Sequence, residues 1–286
     1  MTGKQVTPTT TATPARVRLF QPTQRPRATA GEWIQTSWGR CRVVGRLGQR
    51  HADLLEAMLF VAERSRETGD GAIELLVDPA RVRRTLSDRR HSLARIREWL
   101  RELRSATIEI ESPHLPAEER LLGGLIDHVE PSPMTRHNPL SGGERHLWRV
   151  RLGKPLVELL KRDLLLWYDP APITRLQYGI SQAVARHVLT HRQSPDKGWK
   201  LDGLIEVVGG LLGSQAMRDA RRRIRQDGKG LSAAGVVLDG KRVNVAHRPD
   251  GVAHRPETVA HRPGVWHSGP VRAGISVISE AVAPRT

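Results

Sequence analysis

The sequence predicts an α+β fold, mainly helical, in which two structured units of one plan lie between disordered N- and C-terminal tails. Three observations predict it. Apolar residues recur at helical spacing in successive segments, a short alternating hairpin pattern closes each half, and an Arg-rich amphipathic segment precedes each hairpin. The length agrees, since 286 residues suggest two domains at about 150 residues each. The expected division is a basic arm over 1–30, a first unit over 31–166, a second over 167–245, and a tail over 246–286.

Residues 1–30 are Thr- and Pro-rich with five basic and no acidic side chains, and no apolar period runs through them. That composition predicts a disordered arm. Arg42-Val43-Val44 is a short strand ending at Gly45. Residues 50–66 form a helix on Leu54, Leu55, Met58, Leu59 and Ala62, stopped by Thr68-Gly69-Asp70-Gly71. Ile73–Val77 is a strand, and Asp78-Pro79 opens a helix to Leu86, with Asp as N-cap and Pro in the first turn. Ser87 or Asp88 caps a third helix running to about Ser105, with Leu93, Ile96, Leu100 and Leu103 as its stripe. Thr107–Glu111 is a strand with Ile108 and Ile110 inward and Glu109 and Glu111 outward. Residues 121–129 supply its partner strand. A Pro/Gly loop over 131–143 leads to a strand over 147–152 and a helix over 155–165.

The second half is shorter. Residues 172–191 read as one long helix on Ile173, Leu176, Ile180, Val184 and Val188. A short helix over 201–208, a turn through Gly209-Gly210 and Gly213-Ser214 with Ser214 as N-cap, and a helix over 215–226 follow. In that last helix Met217, Ala220 and Ile224 face inward, and Gly228 and Gly230 break it. Residues 236–245 form a hairpin around Asp239-Gly240, a strong two-residue turn signal. Both halves thus read helix, helix, basic helix, β-hairpin. That order is the helix-turn-helix with an appended hairpin called a winged helix, so two tandem winged helices are expected.

The formal net charge of +16 points to a polyanion, by default nucleic acid, and its distribution sharpens the point. Residues 80–105 hold nine Arg against three acids, and residues 213–245 hold eight basic against three acidic residues. On the first basic helix Arg89, Arg90, Arg95 and Arg97 are placed to read guanine edges from a major-groove helix, with Arg101 and Arg104 toward phosphate. On the second, Arg218, Arg221, Arg222 and Arg225 lie off the apolar stripe, and Lys241 and Arg242 sit at the hairpin tip. A solvated Arg-rich face with local pairs to Glu98 and Glu102 is the simpler reading of either helix alone. Two such helices, each ahead of a hairpin, favour double-stranded DNA.

Other chemistries lack their residues. Ser141-Gly142-Gly143-Glu144-Arg145 has no Lys-Ser/Thr of a phosphate loop, and no His-Glu-x-x-His or His-x-His metal pair occurs. Tyr168 and Tyr178, the two tyrosines, stand in no nuclease-like cluster, and Cys41 with His51 makes no dyad. No enzyme activity, cofactor or metal is expected. One Cys excludes an intramolecular disulfide framework and suits a cytoplasmic protein, and no apolar run spans a membrane.

Val245-Ala246-His247-Arg248-Pro249 recurs from Val252 and from Val259, a seven-residue period. Its prolines block a continuous helix, and extended spacing of seven disfavours a joint metal site for His247, His254, His261 and His267. Seven codons are 21 nucleotides, or two turns of DNA at about 10–10.5 base pairs each, so a direct repeat there presents one face to a bound protein.

With the segment Trp38 to Glu63 (WGRCRVVGRLGQRHADLLEAMLFVAE), the tandem order over 31–245 and the two Arg-rich helices, the chain resembles the winged-helix replication initiators of iteron plasmids, the RepA/TrfA-like group. The resemblance implies a protein that binds origin repeats and its own promoter, opens the origin and recruits the host replicative helicase and its loader. It also implies a homodimer in equilibrium with monomer. A winged-helix transcriptional regulator or autorepressor is the competing reading, and an RNA-binding protein or nuclease is disfavoured by the absent constellation. If the repeat acts as DNA, footprinting the coding segment for residues 245–263 with the full chain protects the 21-nucleotide repeats. Synonymous scrambling that leaves that binding unchanged would sink the idea.

Overall fold

A computed structural model of the chain describes residues 5–86, 91–113, 121–137, 142–191, 193–246 and 267–268. The elements in order are β1 (Thr10–Thr11), α1 (Thr13–Arg16), β2 (Thr29–Ala30), β3 (Ile34–Thr36), β4 (Gly39–Gly45), α2 (Gln49–Val61), β5 (Arg64–Glu67), β6 (Ile73–Val77), α3 (Pro79–Leu86), α4 (Leu93–Ser105), β7 (Thr107–Glu111) and β8 (Leu121–Gly123). There follow β9 (Ile126–His137), β10 (Glu144–Leu152), α5 (Lys154–Arg162), β11 (Leu165–Leu166), α6 (Ala171–Thr174), α7 (Gly179–Leu189), β12 (Trp199–Lys200), α8 (Leu201–Gly209), α9 (Ser214–Gln226), α10 (Gly228–Ala233), β13 (Val236–Asp239), β14 (Arg242–Val245) and β15 (His267–Ser268). Of the described residues 40% are helical and 29% lie in strands, so the fold is α+β but not mainly helical.

The extra sheet comes from two segments. The helix over 50–66 stops at Val61, because residues 64–67 pair antiparallel with β6 and bury Ser65 against Leu75. The loop expected over 131–143 is strand as far as His137. Pro131 and Pro133 are tolerated there because β9 is the edge of the sheet ordered β15-β5-β6-β10-β9, where a missing N–H breaks no ladder bond. In the same sheet β6 is buried along its whole length, as its unbroken apolar run requires. The other large sheet is ordered β2-β4-β7-β8, with β3 also on β4. The partner strand expected over 121–129 is split between β8 in this sheet and β9 in the first.

The apolar core falls into two clusters. One runs from Val17 to Leu159 around α2, α4 and the sheets; the other gathers Ala12 and residues from Leu166 to Val243. Both clusters take residues from the segment expected to be a disordered arm. Val17, Leu19 and Phe20 are buried in the first cluster and Ala12 in the second, and β1 pairs with β11. Thr7 Oγ1 donates to the Leu59 carbonyl (2.5 Å), Thr9 Oγ1 to that of Tyr168 (2.5 Å), and the Thr13 N–H to Asp163 (2.6 Å). Few apolar side chains suffice here because threonine hydroxyls satisfy the buried backbone. The segment is a strap across both units.

The helix over 172–191 is broken into α6 and α7. The Asp227 carboxylate accepts the Gln177 and Tyr178 N–H groups (3.0 Å each), which holds the break. Gly179 then opens α7 where a Cβ would lie 2.5 Å from Thr23 Cα in the strap, too close for any side chain. The helix expected over 215–226 ends at Gln226, and after Asp227 the two glycines Gly228 and Gly230 lie in a separate short helix, α10. Most of the expected tail, including the His247, His254 and His261 repeats, lies outside the described residues. His267–Ser268 pair with β5 as β15.

Across the two units, α2 and α7 share a buried ionic network. Gln49, Asp53 and Glu56 lie on one face of α2 at helical spacing. Arg186 of α7, 5% exposed, donates to both Glu56 oxygens (2.8 Å each), Asp53 (2.8 Å) and Gln49 (2.7 Å). Gln182 donates to Asp53 as well, and Arg50 stands 3.5 Å from its other oxygen. Burial opposes the Arg186 charge, but the Glu56 and Asp53 carboxylates outweigh it and raise its pKa.

Arg186→Met strands two buried carboxylates and is expected to cost about 3–5 kcal/mol in urea unfolding. Replacing Arg186, Asp53 and Glu56 together by apolar residues of similar volume should cost far less. A loss below about 1 kcal/mol for the single variant would show that water reaches the network. A second expectation concerns His187, whose pKa is pushed down to about 4 by burial and by His191 and Arg16. The histidine of the unfolded chain, titrating at about 6.5, takes up the proton first, so stability falls by about 3 kcal/mol between roughly pH 6.5 and pH 4. Urea midpoints at pH 7 and 5 should converge in His187→Asn relative to the parent.

Candidate nucleic-acid interface

The second unit presents α9 on a packed base. Met217, Ala220 and Ile224 are buried among Val184 and Val188 of α7 and Leu204 and Ile205 of α8. Their spacing turns Arg218, Arg222 and Arg225 outward, all exposed, and Arg223 beside them lies over the Tyr178 ring at 5.8 Å. The helix begins at Ser214 with Gly213, rather than Ser214, as N-cap. Along the exposed face the side chains are already ordered. Arg218 donates to Gln215 Oε1 (2.7 Å), Gln215 Nε2 to Asp219 (3.3 Å), and Arg222 to the other Asp219 oxygen (3.0 Å).

Arg221 differs from its neighbours. It is half-buried and donates through Nε (2.6 Å) and Nη2 (2.8 Å) to the two oxygens of Asp202, in the first turn of α8. This ion pair braces α9 against α8 and leaves less of the guanidinium for an outside partner than the sequence suggests. Asp202 is held below the usual carboxylate range by the Arg221 hydrogen bond first, then by the charges of Arg221, Lys241 and Arg225. The basic helix and the hairpin tip therefore converge on one point. Lys241, exposed in the turn between β13 and β14, marks that tip. Arg242 is half-buried and donates to the Gly198 carbonyl (3.2 Å), so it serves the three-stranded sheet ordered β12-β14-β13.

A further cation arrives from the strap. Arg18 sits at φ 58, a left-handed backbone uncommon outside glycine, and its Nη1 would stand 2.8 Å from a Cβ at Gly210, in the turn between α8 and α9. Sequence reasoning missed it by assigning residues 1–30 to an arm. No local signal marks a polar segment that docks through its threonines.

In the first unit α4 buries Ile96, Trp99, Leu100 and Leu103, while Leu93 is 39% exposed. Trp99, absent from the expected stripe, fills the inner face. Arg97, Arg101 and Arg104 are exposed, and Arg95 is exposed but paired with Glu98 (2.6 Å). Arg89 and Arg90, with the expected caps Ser87 and Asp88, lie outside the described residues; Ser92 caps α4 by accepting the Arg95 N–H (3.2 Å). The helix is anchored by His51. Its Nδ1 accepts the Gly48 N–H (3.0 Å), which leaves Nε2–H to donate to Glu102 (2.7 Å). Glu109, expected to point to solvent, is 4% exposed because Arg42 of β4 covers it. The hairpin β7–β8 is thus built into the sheet of β4.

Among the described residues no group of three or more His, Cys, Asp or Glu could hold a metal ion, and no helix is long and apolar enough to cross a membrane. Neither a family model nor a curated protein sequence matches the chain. Among solved structures, a selenomethionine crystal structure of domains 2 and 3 of RctB aligns with TM-score 0.50 and 12% identity, covering 81% of this chain and 94% of that one. A second crystal structure of RctB domains 2–3 aligns with TM-score 0.42 and 12% identity, over 80% of this chain and 94% of that one. At that identity the first likeness establishes a shared α+β fold. It is a likeness to RctB, not to the RepA/TrfA-like group that the sequence resembles.

Proposed function

We propose that the chain is a sequence-specific, double-stranded DNA-binding replication initiator that acts by reading and deforming DNA, with no catalytic centre, cofactor or metal of its own. The fold shared with domains 2 and 3 of RctB is compatible with this reading, which the sequence resemblance to replication initiators suggests. The observation that carries DNA binding is the meeting of α9's exposed arginines with Lys241 beside Asp202. The order α7-β12-α8-α9, then the short α10, then β13 and β14, with β14 between β12 and β13, favours a winged helix for the second unit. For the first unit the helices α2, α3 and α4, with β5 and β6 inserted between the first two, lead into β7 and β8, which favours the same reading with β4 as the partner strand.

In this reading α9 enters the major groove by its N-terminal turn. Arg218 and Arg222 meet base edges, Arg225 and Lys241 meet phosphate, Arg221 positions the helix through Asp202, and Arg242 supports the hairpin. Arg95, Arg97, Arg101 and Arg104 of α4, with Arg89 and Arg90, supply a second contact. The targets are origin repeats of iteron type and the chain's own promoter, with a dimer–monomer equilibrium and a host helicase and loader as protein partners, in the bacterial cytoplasm on plasmid DNA. Autonomous replication of a plasmid carrying this gene and its flanking DNA supports the initiator. Tight specific binding without replication favours a regulator or autorepressor instead.

Arg222→Ala is expected to weaken specific binding by about 1–3 kcal/mol and to relax preference at one base pair. Lys241→Ala should weaken all sequences alike and lower the salt slope by about one. Gel-shift titrations at several salt concentrations measure both, and unchanged affinity for both variants would remove α9 and the hairpin from the interface.

A further inference from the structure

The turn between α8 and α9 carries a side chain that the fold does not use. Leu211 is 98% exposed, whereas every other large apolar side chain counted as exposed among the described residues is at most 59% exposed. Its neighbour Leu212 packs partly buried against the second core, so one of two consecutive leucines holds the turn and the other points away. Leu211 stands two residues before the N-cap of α9, at the mouth of the helix where Gln215 and Arg218 are ordered. Arg18 lies against the same turn at Gly210. Val207, one turn back on α8, is 41% exposed, too little to extend Leu211 into a broad apolar patch.

We infer that Leu211 is a further specificity-determining residue, which packs against the 5-methyl group of a thymine in the major groove. The inference rests on the DNA-binding reading of α9. An apolar side chain amid cations at the entrance of a groove-reading helix has one apolar group to meet on a base edge, and that group is the thymine methyl. The charge of Arg18 at Gly210 of the same turn suits a flanking phosphate and would be poorly covered by an apolar protein surface. Because Leu211 is almost wholly exposed, it adds nothing to core packing.

The test uses a duplex enriched from a random-sequence library by the full chain. Each thymine is replaced in turn by uracil, which removes the methyl group alone. The parent protein is expected to lose about fourfold in affinity at one position, the worth of one buried methyl. Leu211→Ala, with an unchanged melting temperature, should bind the unsubstituted duplex at least about fourfold more weakly and lose nothing further at that position. Leu211→Ala binding like the parent, or keeping the same uracil penalty, overturns the inference while leaving DNA binding intact. Loss of a protein contact in place of a DNA contact overturns it equally. Failure to enrich any sequence removes the DNA-binding reading itself and this inference with it.

Discussion

The Arg186 network is the constraint on which the rest of the molecule is arranged. A guanidinium and two carboxylates cannot remain buried unless each finds its partner, and these partners come from different units. Asp53 and Glu56 belong to α2, the central helix of the first core, and Arg186 belongs to α7 of the second. Such a network gains little over apolar packing of equal volume, yet it punishes misalignment heavily. A shift of α7 along α2 by one residue would leave charges buried without partners. The strap supports the same alignment from outside, since β1 pairs with β11 while Val17, Leu19 and Phe20 fill the first core. Orientation of the two basic helices therefore depends on buried groups carried by the helices they pack against, α2 under α4 and α7 under α9.

That arrangement also explains where the +16 charge is felt. On the sheet of β5, β6, β10 and β9, arginines are matched to acids: Arg66 to Glu74, Arg136 to Glu63, Arg145 to Asp78, Arg149 to Glu130, and Arg151 to Asp70 and Asp127. Opposite charges this close cancel at distances well beyond their own separation, and salt screens what remains. On α4 and α9 the exposed arginines outnumber their acids. A long-range positive potential thus arises on the helices, and the sheet, though rich in arginine, contributes little to it.

Much of this was legible in the sequence because it rests on local periodicity. The spacing of Met217, Ala220 and Ile224 identifies the inner face of α9, and Asp239-Gly240 identifies the hairpin. Ile73–Val77 and Pro79–Leu86 are found at their observed bounds. What escaped depends on partners distant in sequence. Residues 64–67 are strand only because β6 lies beside them, β9 tolerates two prolines only as an edge, and α6 and α7 separate because Asp227 reaches back 49 and 50 residues to two backbone N–H groups. Of the candidate site, the exposed arginines follow from helix geometry. The diversion of Arg221 to Asp202 and the approach of Arg18 to Gly210 follow from tertiary packing and have no local signature.

Each half carries a basic helix ahead of two paired strands, but the halves differ in how those strands are held, and that difference bears on what each can contact. In the second unit β14 pairs with β13 on one side and with the short β12 on the other, and the turn at Lys241 projects from this three-stranded sheet. In the first, β7 is held between β4 and β8, its Glu109 and Glu111 tied to Arg42 and Arg40 across the strand. A strand locked on both sides by ladder bonds and ion pairs resists the small rotations by which a free hairpin follows a groove. The first unit is accordingly the stiffer frame, carrying the strap, the larger core and the acidic half of the Arg186 network. The second unit is the one whose helix, turn and hairpin tip come to a single exposed edge. If that edge meets DNA as proposed, the buried arginine is what holds it in fixed alignment with the first unit.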